Sequence, residues 1–116
     1  MTQQPKRKRD HNLANSFTDR FASWATLTRR PLFGAVGIYR DNHVFAMVWR
    51  GALYFKVDHV SLEDYEAAGS HPLQYVSKGQ KLALKSYWKV PVDVVEDDEA
   101  LFDWAKRAYC AATDGI

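Results

Sequence analysis

The sequence predicts an α+β domain of two layers, an antiparallel sheet with helices packed on it, in the element order α-βββ-α-ββ-α. Three observations carry the prediction. Apolar residues recur at helical steps near both ends of the chain, at Leu13, Phe17, Phe21, Trp24 and Leu27 and again at Leu101, Trp104, Ala105, Ala108 and Ala112. Between these stretches the apolar period changes to two. The period-two stretches are separated by short polar or glycine-containing pairs, as the hairpins of an antiparallel sheet require.

In chain order, residues 1–11 (MTQQPKRKRDH) hold Pro5 and no apolar period, and read as a flexible basic arm; 12–116 is the folded domain. Asn12 is a fair N-cap for a first helix of about four turns. That helix must end before Pro31, because the residue preceding a proline avoids the α region. Strands are predicted at 35–40, 43–49 and 52–57, joined at Asp41-Asn42 and Arg50-Gly51. In the middle strand, HVFAMVW, nearly every residue is apolar, so both faces should be covered, one by a helix and the other by a second copy of the chain. Ser61-Leu62-Glu63-Asp64 has the spacing of a capping box and opens a short helix that stops at Gly69. A second hairpin runs from Leu73–Val76 through Ser77-Lys78-Gly79-Gln80 to Leu82–Val90, closed by Pro91. Asp97-Asp98-Glu99 then opens the last helix, where acids suit the positive end of the helix dipole.

Composition narrows the function classes. A hydrophobic content of 47% in 116 residues suffices for one core and argues against general disorder. The net charge of +2 is uneven: Lys6, Arg7, Lys8 and Arg9 against Asp10 contribute +3, leaving −1 for residues 11–116. A body of balanced charge does not announce a nucleic-acid surface. The lone Cys110 can form neither an internal disulfide nor a cysteine cage for zinc, which points to a reducing compartment. No apolar run approaches membrane-spanning length, and Asp10-His11-Asn12 stand where a signal peptide needs an apolar stretch. No membrane association and a cytoplasmic location are expected.

The stretch RRPLFGAVGIY, Arg29 to Tyr39, places two arginines before two glycines three apart. A phosphate-binding P-loop would continue into Lys-Ser/Thr and a helix, whereas Ile38-Tyr39-Arg40 reads as strand. The Gly-x-x-Gly loop of RNA-binding KH domains joins two helices. The glycines are better explained by a sharp bend, a bulge or the close approach of a neighbour. His11, His43, His59 and His71 are scattered without metal-site spacing, and Asp93, Glu96–Glu99 and Asp103 lack the frame of a calcium loop. Ser86 lacks the strained Gly-x-Ser-x-Gly setting of a nucleophile; by alternation it shares a face with Leu82, Leu84 and Trp88. No catalytic residue, metal site or cofactor site is assigned, and no enzyme is expected.

Basic residues supply the remaining candidates. Lys78, Lys81, Lys85 and Lys89 lie along the second hairpin with no acid among them. By period two Lys85, Tyr87 and Lys89 share one face, with Tyr87 taken as an exposed aromatic. An ordinary solvated face or a lysine-protected edge explains the pattern as well. Arg29, Arg30, Lys85, Tyr87 and Lys89 are the candidate interaction surface, and Lys6, Arg7, Lys8 and Arg9 a candidate DNA-contact arm. Tyr54, Lys56 and Asp58 alternate away from Leu53, Phe55 and Val57, as a functional row or an exposed strand face would.

From about Arg29 to Ala112 the chain resembles the N-terminal domain of the TfoX/Sxy family, regulators of competence genes in bacteria. The resemblance is carried by Arg30-Pro31-Leu32-Phe33-Gly34 with Gly37 and Tyr39, and by Val44-Phe45-Ala46-Met47-Val48. It continues through Leu53-Tyr54-Phe55-Lys56-Val57-Asp58, Tyr65-Glu66-Ala67-Ala68-Gly69 with Pro72, Gly79, Ser86-Tyr87-Trp88 with Pro91, Glu96-Asp97 and Trp104. The chain has Leu32-Phe33-Gly34-Ala35 where the family has Met-Phe-Gly-Gly, and Asp41-Asn42 where it has Asp-Gly; both changes still suit a bend and a turn. The resemblance is to a single-domain member, without the helical domain that follows in two-domain relatives. It implies a non-enzymatic regulatory domain without cofactor, acting in transcription linked to DNA uptake. A transcription factor or RNA polymerase is the implied partner, and a homodimer a further arrangement. Two alternatives stand beside it. One is a DNA-binding module using the arm and the lysine hairpin; the other is a small-molecule-binding domain with a polar cavity behind Gly34–Gly37 and Ser86.

Overall fold

The computed structural model describes residues 6–113, with side chains from Arg9 onward. Ten elements follow in order: α1 (Lys6–Arg20), β1 (Thr28–Leu32), β2 (Ala35–Arg40), β3 (His43–Trp49), β4 (Ala52–Lys56), α2 (Leu62–Ala67), β5 (Pro72–Ser77), β6 (Gln80–Lys89), α3 (Val92–Val95) and α4 (Asp98–Thr113). The six strands form one antiparallel sheet in the order β1-β2-β3-β4-β6-β5. The α+β class holds, with one more strand and one more short helix than the sequence pattern shows.

Four two-residue turns build the hairpins, each with both central residues at positive φ: Phe33-Gly34, Asp41-Asn42, Arg50-Gly51 and Lys78-Gly79. Such turns match the right-handed twist of the strands they join, which is why glycine or asparagine fills the second position. The first of them creates β1, where the sequence pattern runs the first helix on toward Pro31 with Arg29 and Arg30 at its C-terminal end. TRRPL has no alternation because its residues are exposed or half-buried, and Pro31 is tolerated because β1 is an edge strand.

Helix α1 also differs from expectation at both ends. It begins at Lys6 rather than after Asn12 and ends at Arg20, so Phe21 and Trp24 pack from a turn and Leu27 from the lead into β1. The boundary drawn between residues 11 and 12 therefore falls inside a helix. The buried Asp10 helps to hold this end: its carboxylate accepts hydrogen bonds from the Arg50 and Gly51 backbone N–H groups at 2.9 and 2.8 Å. Met1–Pro5, and the side chains of Lys6, Arg7 and Lys8, lie outside the described residues.

Helix α2 is capped one turn upstream of the expected box. Ser61 makes no side-chain bond into the helix. Instead the Asp58 carboxylate accepts from the N–H groups of Val60 (3.1 Å) and Ser61 (2.8 Å), and the Ser61 hydroxyl accepts from the Asp58 N–H. Gly69, at φ +73, ends the helix, and Asp97 caps α4 by accepting from Glu99 and Ala100 N–H.

The helices cover one face of the sheet. There Phe45, Phe55, Ile38, Val36 and Val48 meet Phe17, Phe21 and Leu101, with Tyr65, Trp88 and Trp104 around them. A smaller cluster on the other face is built from strands alone: Ala35, Met47, Tyr54, Leu73 and Tyr87, with Leu32, Trp49 and Leu84 at its margin. Both faces of β3 are thus covered, as its composition requires, but Met47 is buried by the chain's own residues without a second copy.

Candidate interaction surface

A single row of paired residues crosses five strands on the helix-free face: Arg30, Gly37, Met47, Tyr54 and Lys89. Paired residues share a face, and at ~4.8 Å per strand the ends of the row stand roughly 19 Å apart. Gly37 is glycine for a reason of contact. A Cβ there would sit 2.8 Å from Tyr39 Cε1 and 3.2 Å from Leu32 Cδ2, so the Tyr39 ring lies across the row where a side chain would stand. Gly34 is a turn residue at φ +81. Neither glycine cradles a phosphate; one bends the chain and the other admits a ring.

Three aromatic rings near this row carry a cation over them. The Arg30 guanidinium lies 4.1 Å from the Tyr39 centroid, Lys56 Nζ 5.4 Å from Tyr87, and the Arg50 guanidinium 4.7 Å from Trp49. Burial raises the Tyr54 hydroxyl above its ordinary pKa. Tyr87 is pushed up to about 12, chiefly by burial and further by the Tyr39 hydroxyl. Neither phenol ionises near neutrality, so the charge of this face is set by its Lys and Arg.

Beside the row lies an apolar groove of about 360 Å³, lined by Leu32, Phe33, Ala35, Met47, Trp49 and, from the far hairpin, Leu73, Tyr75 and Leu84. Leu32 and Tyr75 sit on the two edge strands, which a flat six-stranded sheet would hold some 24 Å apart. The β5–β6 hairpin therefore closes over the helix-free face. It bends where its ladder slips: Leu73 pairs with Leu84, yet Pro72 pairs with Trp88. Phe33 stands at the lip, 93% exposed on its positive-φ turn.

The slip also decides where the expected surface residues fall. Leu84 joins the helix-free cluster and Trp88 the helix-side core, so alternation does not run unbroken along β6, and Ser86 does not share a face with both. Tyr87 is not an exposed aromatic: it is 4% exposed, lies opposite Lys56 of β4, and its hydroxyl reaches the Val44 carbonyl at 3.4 Å. Tyr54, read as part of an outward row, is likewise buried. Arg30, Tyr87 and Lys89 come together on the helix-free face. Arg29 does not: it pairs with the core residue Ile38 and donates to the Thr18 hydroxyl of α1 at 2.9 Å. Lys85 is exposed within the irregular stretch. Arg9 is exposed on α1. The sequence reading missed Phe33, Met47, Trp49 and Arg50, whose common signal was turn pairs flanked by large apolar residues.

Charge is divided between the layers. The six strands contain seven Lys or Arg and no Asp or Glu. Among the described residues the ion pairs are Arg20–Asp98, Arg40–Asp41 and Arg107–Asp64, and none involves Arg30, Arg50, Lys56, Lys85 or Lys89. No group of three or more His, Cys, Asp or Glu among the described residues could hold a metal ion, and no described helix is long and apolar enough to cross a membrane.

Fold and surface together define a small α+β domain with helices on one side of its sheet and a cationic, apolar face on the other. Residues 19–112 match the model of the TfoX N-terminal domain, and the chain belongs to that family. At the level of the family this is a regulatory, competence-related domain. No curated protein matches the chain.

Proposed function

We propose that the chain is a non-catalytic regulatory domain that acts in transcriptional control linked to DNA uptake, through contact with a protein such as a transcription factor or RNA polymerase. The observation that carries this reading is the helix-free face, where an apolar groove is flanked by cations that form no ion pair among the described residues. Desolvating such a surface against another protein yields hydrophobic burial in the middle and charge complementarity at the rim. The groove beside the Phe33-Gly34 turn is lined mainly by apolar side chains, and the cavity of about 320 Å³ against Gly34 has Asp10 and His11 in its wall, with the Asp10 carboxylate already bonded to the Arg50 and Gly51 N–H groups.

Direct DNA binding is the second reading, favoured by Lys78, Lys81 and Lys85, which are exposed along the β5–β6 hairpin without an acid between them. Against it, Tyr39, Trp49 and Tyr87 on the helix-free face are already covered by the chain's own cations, which leaves Phe33 and Tyr75 as the exposed rings on which a base could stack. Two measurements test these readings. Transcripts of DNA-uptake genes in the host are expected to fall on deletion of the gene and to stay low when it is replaced by the Arg30→Glu/Lys89→Glu variant. Unchanged transcripts on deletion would sink the regulatory reading. A salt series on a labelled duplex, with the native chain and with Lys6, Arg7, Lys8 and Arg9 replaced by Gln so that the buried Asp10 is kept, decides for DNA if binding weakens with a log–log slope near −0.9 per phosphate contacted and is lost on the replacement.

A further inference from the structure

We propose that the helix-free face receives an acidic amphipathic segment of the partner protein. Its apolar side chains enter the groove at Leu32, Met47, Trp49 and, on β5, Leu73, and its carboxylates meet Arg30, Arg50 and Lys89. The proposal rests on the protein-contact reading above and adds the chemistry of what is bound. Three observations carry it. Among the described residues no cation of this face forms an ion pair, whereas Arg20, Arg40 and Arg107 on the helix side each do. Arg30 and Lys89 stand at the two ends of one cross-strand row whose middle residues, Met47 and Tyr54, are buried under the β5–β6 hairpin, so the two cations flank the covered part of the face. A segment with apolar residues along its middle and acids toward both ends fits that spacing, which corresponds to about thirteen residues of helix or six of strand. Finally, the neighbouring groove is open, and Phe33 projects over its lip almost fully exposed. A hydrophobic side chain left in water at the mouth of an apolar groove is a ready anchor for a partner.

A second copy of the chain meeting through the same face would bring like charges together, Arg30 and Lys89 against Arg30 and Lys89, which disfavours a symmetric pair. Nucleic acid would satisfy the cations and could stack on Phe33, but would leave Leu32, Met47 and Leu73 in the groove without a matching apolar surface.

The test uses the full chain and a labelled eighteen-residue model peptide with Leu and Phe on one helical face and Glu elsewhere. The controls are the same peptide with Lys in place of Glu, a scrambled isomer, and a single-stranded oligonucleotide. Anisotropy is expected to show the acidic amphipathic peptide binding at least about tenfold tighter than every control, more weakly as salt rises. Phe33→Ser and Lys89→Glu are each expected to weaken it by about tenfold. Amide NMR shifts on binding should fall on the sheet, on β5 around Leu73 as well as on β1 through β4 and β6, and not on α4. Equal binding of the Lys peptide, a footprint on α4, or preference for the oligonucleotide would each overturn the proposal. So would sedimentation showing a dimer that Phe33→Ser dissolves and the peptide does not. The transcript experiment is independent of this one. If deletion silences the DNA-uptake genes but the peptide does not bind, the groove assignment fails and the regulatory reading stands.

Discussion

On the helix side of the sheet, Ile38, Phe45 and Phe55 are fully buried, and the cations that frame the layer are paired: Arg20 with Asp98, Arg107 with Asp64, and Arg40 with Asp41 between the rings of Trp24 and Tyr109. On the other side Met47 and Tyr54 are buried nearly as deeply, yet Arg30, Lys56 and Arg50 meet aromatic rings instead of carboxylates. The first arrangement is closed. Its apolar area is covered, its charges are neutralised, and α1, α3 and α4 are joined through Arg20, which also donates to the Val95 carbonyl at 2.7 Å. The second arrangement is half closed, with burial supplied by a hairpin folding over and charge left in surplus. Stability belongs mainly to the first face; the second is the one proposed for recognition.

Substitutions can break or sharpen that contrast. The largest effect is expected for Phe45→Ala. Phe45 has no exposed surface and touches Trp24, Phe55 and Tyr109, so its removal opens a cavity that several rings border. A loss of about 3–5 kcal/mol in urea unfolding is expected. A loss below about 1 kcal/mol would mean that the helix layer is not the principal source of stability.

Gly37→Ala comes next and probes the other face. The added methyl cannot coexist with the Tyr39 ring where it stands, and the ring is held from above by Arg30. Overpacking of this kind costs about 1–3 kcal/mol. The more telling readout is local: the Tyr39 ring and Arg30 resonances should shift while those of Phe45 and Phe55 do not. A shift spreading through the helix-side rings would show that the two faces are coupled rather than separate.

A smaller effect is expected at Asp58, at the edge between the layers. Hydrogen bonds from the Ser61 backbone and hydroxyl and from the Val60 N–H hold its carboxyl below the usual range, against the opposing effect of partial burial. The folded-state pKa is lowered, so the stabilisation is complete above the ordinary carboxylate value and is lost as pH falls through the lower folded value. Asp58→Ala should cost about 1 kcal/mol at neutral pH, toward the middle of the range for a lost cap at a half-exposed site. The difference from the native chain should vanish between roughly pH 5 and pH 2. A gap independent of pH would assign the cost to the backbone rather than to the carboxylate.

The sequence reveals the parts of this molecule that obey one period or one local rule. Asp41-Asn42, Arg50-Gly51 and Lys78-Gly79 announce their turns because few residues tolerate consecutive positive φ, and β2, β3 and β4 follow from alternation between them. What it conceals depends on partners distant in the chain. Lys6 to His11 look like an arm until Asp10 meets the N–H groups of Arg50 and Gly51, forty residues away. Thr28–Arg30 look like the end of the first helix because an exposed edge strand has no buried face to impose a period. Tyr87 looks exposed because counting by two along β6 ignores the slip between Leu84 and Trp88. Of the candidate surface, Arg30 and Lys89 are legible as cations beside strands; that they end one row with Met47 and Tyr54 between them is a property of register alone.

The smallest effect is the sharpest test of the contrast. Phe33 is the most exposed large hydrophobic residue among those described, and it sits at positive φ, a conformation that favours neither phenylalanine nor serine. Phe33→Ser therefore removes little buried area and exchanges one strained residue for another, so the change in unfolding free energy should stay within about 0.5 kcal/mol. If the helix-free face exists for recognition, the same substitution should nevertheless weaken the bound acidic peptide. A residue that contributes nothing to the fold and much to binding separates the two roles of the sheet. Should Phe33→Ser instead cost more than about 1 kcal/mol, the ring is closing the groove of its own chain, and the face belongs with the core.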